Sequence, residues 1–116
     1  MKKKTSIENL LDIITKAAED KKATNPVILD IRRAGKITDF MVIVSGESTP
    51  QLKAIMKEIE FQVKKTGVKG IVWEGEPDSG WMIFDLGSIL VHIMSEKERA
   101  YYNLEELWGK DAVVFH

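Results

Sequence analysis

Two apolar runs separated by Gly-Ser, Trp81 to Leu86 and Ile89 to Met94, constrain this chain more than any other feature. The pattern predicts a β-hairpin closed by a two-residue turn. Gly87 is free to take the positive φ needed at the first central position of a type II′ turn. The register that follows pairs Leu86 with Ile89, Phe84 with Val91 and Met82 with Ile93. That face is wholly apolar and reads as core. The opposite face sets Trp81, Ile83 and Asp85 against Leu90, His92 and Met94. It is mostly apolar yet holds a carboxylate and an imidazole, the composition of a sheet face that awaits a partner. The alternative is that the chain's own helices cover both faces.

At 116 residues the chain is long enough for one domain, 1–116, with a real core. A net charge of −1 argues against a polyanion binder that works through its overall field. The absence of cysteine excludes disulfides, thiol catalysis and cysteine metal sites. No apolar run is long enough to span a bilayer. The segment after Met1-Lys2-Lys3-Lys4 is amphipathic and contains acids, which does not fit a signal peptide. These features predict a soluble, cytoplasmic protein.

Ahead of the hairpin, Thr5-Ser6-Ile7-Glu8 fits a capping box with Thr5 as N-cap. Ile7, Leu10, Leu11, Ile14, Ala17 and Ala18 then recur at helical spacing to about Asp20. Asn25-Pro26 disfavours further helix. Val27 to Ile31 reads as a strand, Arg32 to Lys36 as a turn, and Phe40 to Val44 as a second strand. The second is apolar at every position, which predicts an interior strand covered on both faces. Ser48 with Gln51, or Thr49 with Pro50, opens a helix whose inner face is Leu52, Ile55, Met56, Ile59 and Val63. Phe61 falls on the opposite face among lysines and glutamates, a candidate self-association contact. Gly67 is a plausible C-cap. Ile71 to Glu74 is a third strand, and Gly75 to Gly80 a turn-rich loop. After the hairpin, Ser95 to Glu98 caps a short helix through Trp108 that Gly109 stops. The order αββαβββα predicts an α/β sandwich, a mixed sheet of about five strands with packed helices.

Chemistry is sparse. His92 and His116 are the only histidines and lie far apart, without metal-ligand spacing, so no metal and no cofactor are expected. Asp85 is placed diagonally across the hairpin from His92, within reach of a pair. A Ser-His-Asp set can be drawn with Ser45 or Ser48, but no nucleophile-elbow motif supports it. The best candidate for an active site is Ser45-Gly46-Glu47-Ser48-Thr49, between an interior strand and a helix. Nucleotidyltransferases place a Gly-Ser loop in a similar position, and this gives an alternative reading as a nucleotidyltransferase-like enzyme or nucleotide binder. Their chemistry also needs paired carboxylates for magnesium, and there is no Asp-x-Asp here. Lys53, Lys57, Lys64 and Lys65 alternate with Glu58 and Glu60, a solvated face rather than a sequence-specific nucleic-acid site.

From Thr38-Asp39-Phe40 through Ser45-Gly46, and then Gln51-Leu52-Lys53-Ala54-Ile55, the chain resembles the ribosomal silencing factor, or Iojap, family. The resemblance continues through Glu74-Gly75 and Trp81-x-x-x-Asp85-x-Gly87. It is strongest in Val91-His92-Ile93-Met94 followed by Arg99-x-x-Tyr102-x-Leu104-Glu105-x-Leu107-Trp108. Two positions depart from the usual pattern: Pro50, where an arginine is common, and Ser88, where an acidic residue is. The resemblance implies a fold related to nucleotidyltransferases without their catalytic carboxylates, and no enzymatic activity. It implies binding to the large ribosomal subunit through ribosomal protein L-fourteen, steric block of small-subunit joining, and lowered translation when nutrients are short. It also implies a homodimer. The Trp81 strand matches the apolar strand that such proteins present to the ribosomal protein. The expected partner-binding set is therefore Trp81, Ile83, Asp85, Leu90, His92 and Met94, with Phe61 as a dimer contact.

Overall fold

The computed structural model describes residues 6–33, 38–109 and 112–115. Thr5, and Gly35 with most of its expected turn, lie outside them. Helix α1 (Ile7–Asp20) begins one residue later than its capping pattern suggested: Ser6 is the N-cap, and its Oγ accepts from the Asn9 amide at 3.2 Å. Ser6 has the extended backbone that an N-cap needs, which settles the choice between two adjacent hydroxyl residues. Helix α2 (Thr49–Lys65) is capped by Ser48, whose Oγ accepts from the Gln51 amide at 3.2 Å. The Gln51 side chain takes a task beyond the local cap. Its Oε1 accepts from the Glu47 amide, and its Nε2 donates to the carbonyls of Lys21 and Lys22, tying the end of α1 to the start of α2.

The strands are β1 (Thr24–Asp30), β2 (Phe40–Gly46), β3 (Val72–Glu76), β4 (Trp81–Asp85), β5 (Ile89–Ser95) and β6 (Val113–Phe115). They form one sheet in the order β3-β4-β5-β2-β1-β6. Only the β2–β5 pair is parallel, so the sheet is mixed, as expected. The sheet has six strands rather than about five, because β6 adds itself to the outer edge of β1. Strand β1 also begins three residues earlier than its β-branched run. Asn25, at φ 49°, sits in a register irregularity between Thr24 and Val27, which lets the strand pass through Asn-Pro.

The β4–β5 register is the predicted one, with Phe84 opposite Val91 and Met82 opposite Ile93. Gly87 turns the hairpin with φ 87°. Strand β2 is interior and buried from Met41 to Gly46, in accord with its unbroken apolar run. Strand β3 continues through Gly75 and Glu76, so the expected loop shrinks to a single 3₁₀ turn, Pro77–Ser79, closed by Gly80. Gly75 permits this close pairing: a Cβ there would lie 2.3 Å from the Trp81 carbonyl oxygen.

Helices α1 and α2 cover one face of the sheet. Leu10, Ile14, Ala18, Leu52, Ile55 and Ile59 pack there on Val42, Val44, Phe84, Val91 and Ile93. The other face is covered in part only. The last helix is two: α3 (Glu96–Tyr102) and α4 (Leu104–Trp108), broken at Asn103 with φ 44°. Leu104 and Trp108 of α4 pack over Val27, Leu29, Met41, Ile43 and Met94.

Candidate partner surface

Ladder register places the second face of the sheet residue by residue. Outward from β2 it carries Met41, Ile43 and Ser45, then Leu90, His92 and Met94, then Asp85, Ile83 and Trp81, then Val72, Glu74 and Glu76 on the edge strand. Helix α4 packs over the β1, β2 and β5 side of this face. Beyond it Trp81, Ile83, Asp85 and Leu90 are partly exposed, and Val72 is 53% exposed. An apolar strip of Trp81, Ile83, Leu90 and Val72 thus reaches solvent along β4 and its neighbours, with Glu74, Glu76 and Asp85 on the same face. A shallow cavity of about 380 Å³ lies on it, lined by Glu74, Gly75, Ser79, Trp81, Ile83, Glu98 and Tyr102.

The six residues expected at the partner surface share this face, but not one exposure. Met94 is fully buried and His92 is 5% exposed, so neither offers a docking partner much area. The reason is that β5 is interior, between β4 and β2. The expected Asp85–His92 pair does not form. Asp85 Oδ1 accepts from the Gly87 amide at 2.7 Å, while His92 Nδ1 accepts from Trp81 Nε1–H at 3.0 Å. Burial pushes the His92 pKa down to about 4, so the ring is neutral at pH 7. With Nδ1 accepting, the neutral ring carries its proton on Nε2.

Two residues quoted above for the family resemblance, but not assigned to the surface, complete it. Tyr102 packs tilted against Trp81 with ring centroids 4.6 Å apart and an interplanar angle of 48°, and Tyr101 meets Tyr102 edge-on at 4.9 Å. Arg99 is buried. Its Nε donates to Glu105 at 3.0 Å and its Nη1 to Ser45 Oγ at 3.0 Å, which fastens α3 to β2 and to α4. The available signal was spacing: Arg99 and Tyr102 stand three apart, hence on one face of α3.

The Ser45–Thr49 loop has structural occupation. Ser45 Oγ accepts from Arg99, and Ser48 Oγ caps α2. Gly46 allows α2 to approach β2, since a Cβ there would lie 2.9 Å from Leu52 Cδ2. No serine of this loop meets His92 or Asp85, so the Ser-His-Asp set is not assembled. Among the described residues no three His, Asp or Glu side chains gather as a metal site, and no helix is long and apolar enough to cross a membrane. Phe61 is 59% exposed, with Lys65 Nζ 5.3 Å from its ring centroid.

Residues 3–115 match the family model described as ribosomal silencing factor during starvation. The ribosomal silencing factor of Halalkalibacterium halodurans is 38% identical over 109 residues, covering 94% of this chain and 93% of the relative. That of Bacillus subtilis is 36% identical over 102 residues, covering 88% and 86%. A crystal structure of a Chromobacterium violaceum protein superposes with a TM-score of 0.85 at 30% identity, covering 97% of this chain and 95% of that one.

Proposed function

Because the chain belongs to the ribosomal silencing factor family, we propose that it docks on ribosomal protein L-fourteen of the large ribosomal subunit and blocks joining of the small subunit. Translation falls in consequence, in the cell's cytoplasm and when nutrients are short. The observation that carries this reading is the apolar strip of Trp81, Ile83, Leu90 and Val72 that α4 leaves bare. Trp81 is its anchor. A half-buried indole held in place by its N–H bond to His92 adds a large, rigid contact area, the property of residues that dominate binding energy at interfaces. Glu74, Glu76 and Asp85 border the strip with negative charge, which favours a basic partner such as a ribosomal protein.

Silencing in this mechanism is occlusion, so the protein needs no reaction and no cofactor. The chain measures 44 × 33 × 22 Å, a bulk that blocks any second body from docking on the same surface. A second copy joined through Phe61 enlarges the obstacle. The deciding experiment is co-sedimentation with purified large subunits, followed by a subunit-joining assay. The protein pellets with large subunits, isolated L-fourteen competes it off, and added small subunits fail to form complete ribosomes. Failure to pellet, or pelleting that L-fourteen does not compete, refutes the proposal.

A further inference from the structure

His92 is a buried titratable group that occlusion does not use directly, and its one hydrogen bond goes to the proposed anchor. We propose that His92 is a positioning residue that locks the Trp81 indole into its partner-ready rotamer before any partner arrives. The inference rests on the reading of the Trp81 face given above.

Three observations converge on it. First, the imidazole cannot itself wander. It projects from β5, an interior strand paired along its length with β2 and β4, and it is almost fully enclosed. Second, the indole is held on two sides. Nε1–H donates to His92 Nδ1 at 3.0 Å, and the Tyr102 ring lies 4.6 Å away. Third, the acceptor is permanent near neutral pH. An imidazolium has no lone pair to offer, and burial keeps this ring neutral.

A partly exposed tryptophan without such a tether samples several rotamers, and a partner must then freeze one of them. Freezing one rotamer-rich side chain weakens binding roughly 3- to 10-fold. Removing the tether should cost a factor of that size, while removing the indole should cost considerably more.

The test uses His92→Leu, which keeps bulk and removes the acceptor, and His92→Asn, which returns an amide oxygen near the Nδ1 position. Each is titrated against isolated ribosomal protein L-fourteen beside the parent and Trp81→Ala. Indole N–H resonances are recorded for all, with Trp73 and Trp108 as internal references. Expected are a shifted, faster-exchanging Trp81 resonance and about 3- to 10-fold weaker binding in His92→Leu, with recovery of both in His92→Asn. The parent alone provides a check that needs no variant to fold: a through-hydrogen-bond coupling between Trp81 Nε1 and His92 Nδ1, whose absence overturns the proposal. Parent-like binding by His92→Leu, with Trp81→Ala impaired, overturns the positioning role and spares the docking surface. Equal weakening in both His92 variants with the Trp81 resonance unmoved also overturns it. Parent-like binding by Trp81→Ala overturns the docking surface and, with it, this inference.

Discussion

Trp81→Ala separates an interface anchor from a core residue. A fully buried aromatic truncated to alanine costs about 3–5 kcal/mol of stability. Trp81 is only partly buried, so about half of that packing is at stake, together with a hydrogen bond to His92 worth about 1 kcal/mol. A loss of about 3 kcal/mol lowers the melting temperature of a domain this size by roughly 12 °C. It leaves the protein folded at 25 °C, because total stability is about 5–15 kcal/mol. An anchor residue contributes about 2 kcal/mol or more to binding, so affinity for L-fourteen falls about 30-fold or further. Phe84 is the control, three residues along the same strand and on the opposite face. It is fully buried, with its ring centroid 4.1 Å from that of Trp73. Phe84→Ala should lose about 3–5 kcal/mol of stability and bind as the parent does wherever it is folded. Ile83→Ala, beside Trp81 on the partly exposed face, should weaken binding in the same direction but less. Melting curves and titrations against isolated L-fourteen provide both axes. The reasoning fails if Trp81→Ala binds like the parent, or if Phe84→Ala, measured while folded, loses as much affinity.

Acid should expose the cost of burying His92. Above pH 6.5 the ring is neutral in both folded and unfolded chains and leaves stability unaffected. As pH falls from 6.5 towards about 4, only the unfolded chain takes up the proton, so stability declines by about 3 kcal/mol. Urea titrations of the parent and His92→Asn between pH 4 and 7 should diverge by that amount, and parallel curves would exclude it. Phe61→Asp should convert a dimer into a monomer with an unchanged melting curve, because an interface cannot cheaply bury an unpaired carboxylate. An unaltered sedimentation coefficient would remove Phe61 from the interface. Exhaustive chelation and nucleotide removal should leave inhibition of subunit joining intact. Loss of inhibition that returns on adding the ligand back would contradict simple occlusion.

What the sequence showed of this fold was whatever local period and turn chemistry determine. The β4–β5 register followed from alternation and from a glycine able to take positive φ. The interior position of β2 followed from an unbroken apolar run. Pairings between distant segments were hidden. Strand β6 is three residues long and owes its place to the edge of β1, not to any pattern of its own. The partner of His92 was a choice between two diagonals, to Asp85 or to Trp81. The carboxylate had a nearer donor, the amide two residues on, which is a common local competitor for aspartate. The indole is long enough to reach across the ladder, and it took the imidazole.

The bare strip depends on a break that periodicity cannot reveal. Had the last helix run on unbroken from Glu96, Leu104 and Trp108 would fall three and seven residues after Tyr101, and so on its face. That face points to solvent, since Tyr101 is 80% exposed. Asn103 adopts the left-handed conformation that asparagine tolerates better than most residues, and it ends α3 there. Helix α4 then starts in a new direction, and Leu104 and Trp108 turn onto the sheet over Val27, Leu29, Met41 and Ile43. Arg99 fixes this arrangement by bonding to Glu105 on α4 and Ser45 on β2. One short helix turned towards β1 and β2 seals that half of the face. The same turn leaves Tyr102 at the boundary, tilted against Trp81, and leaves β3 and most of β4 without a helix over them. The bare strip proposed as the partner surface is thus a consequence of where one asparagine breaks a helix.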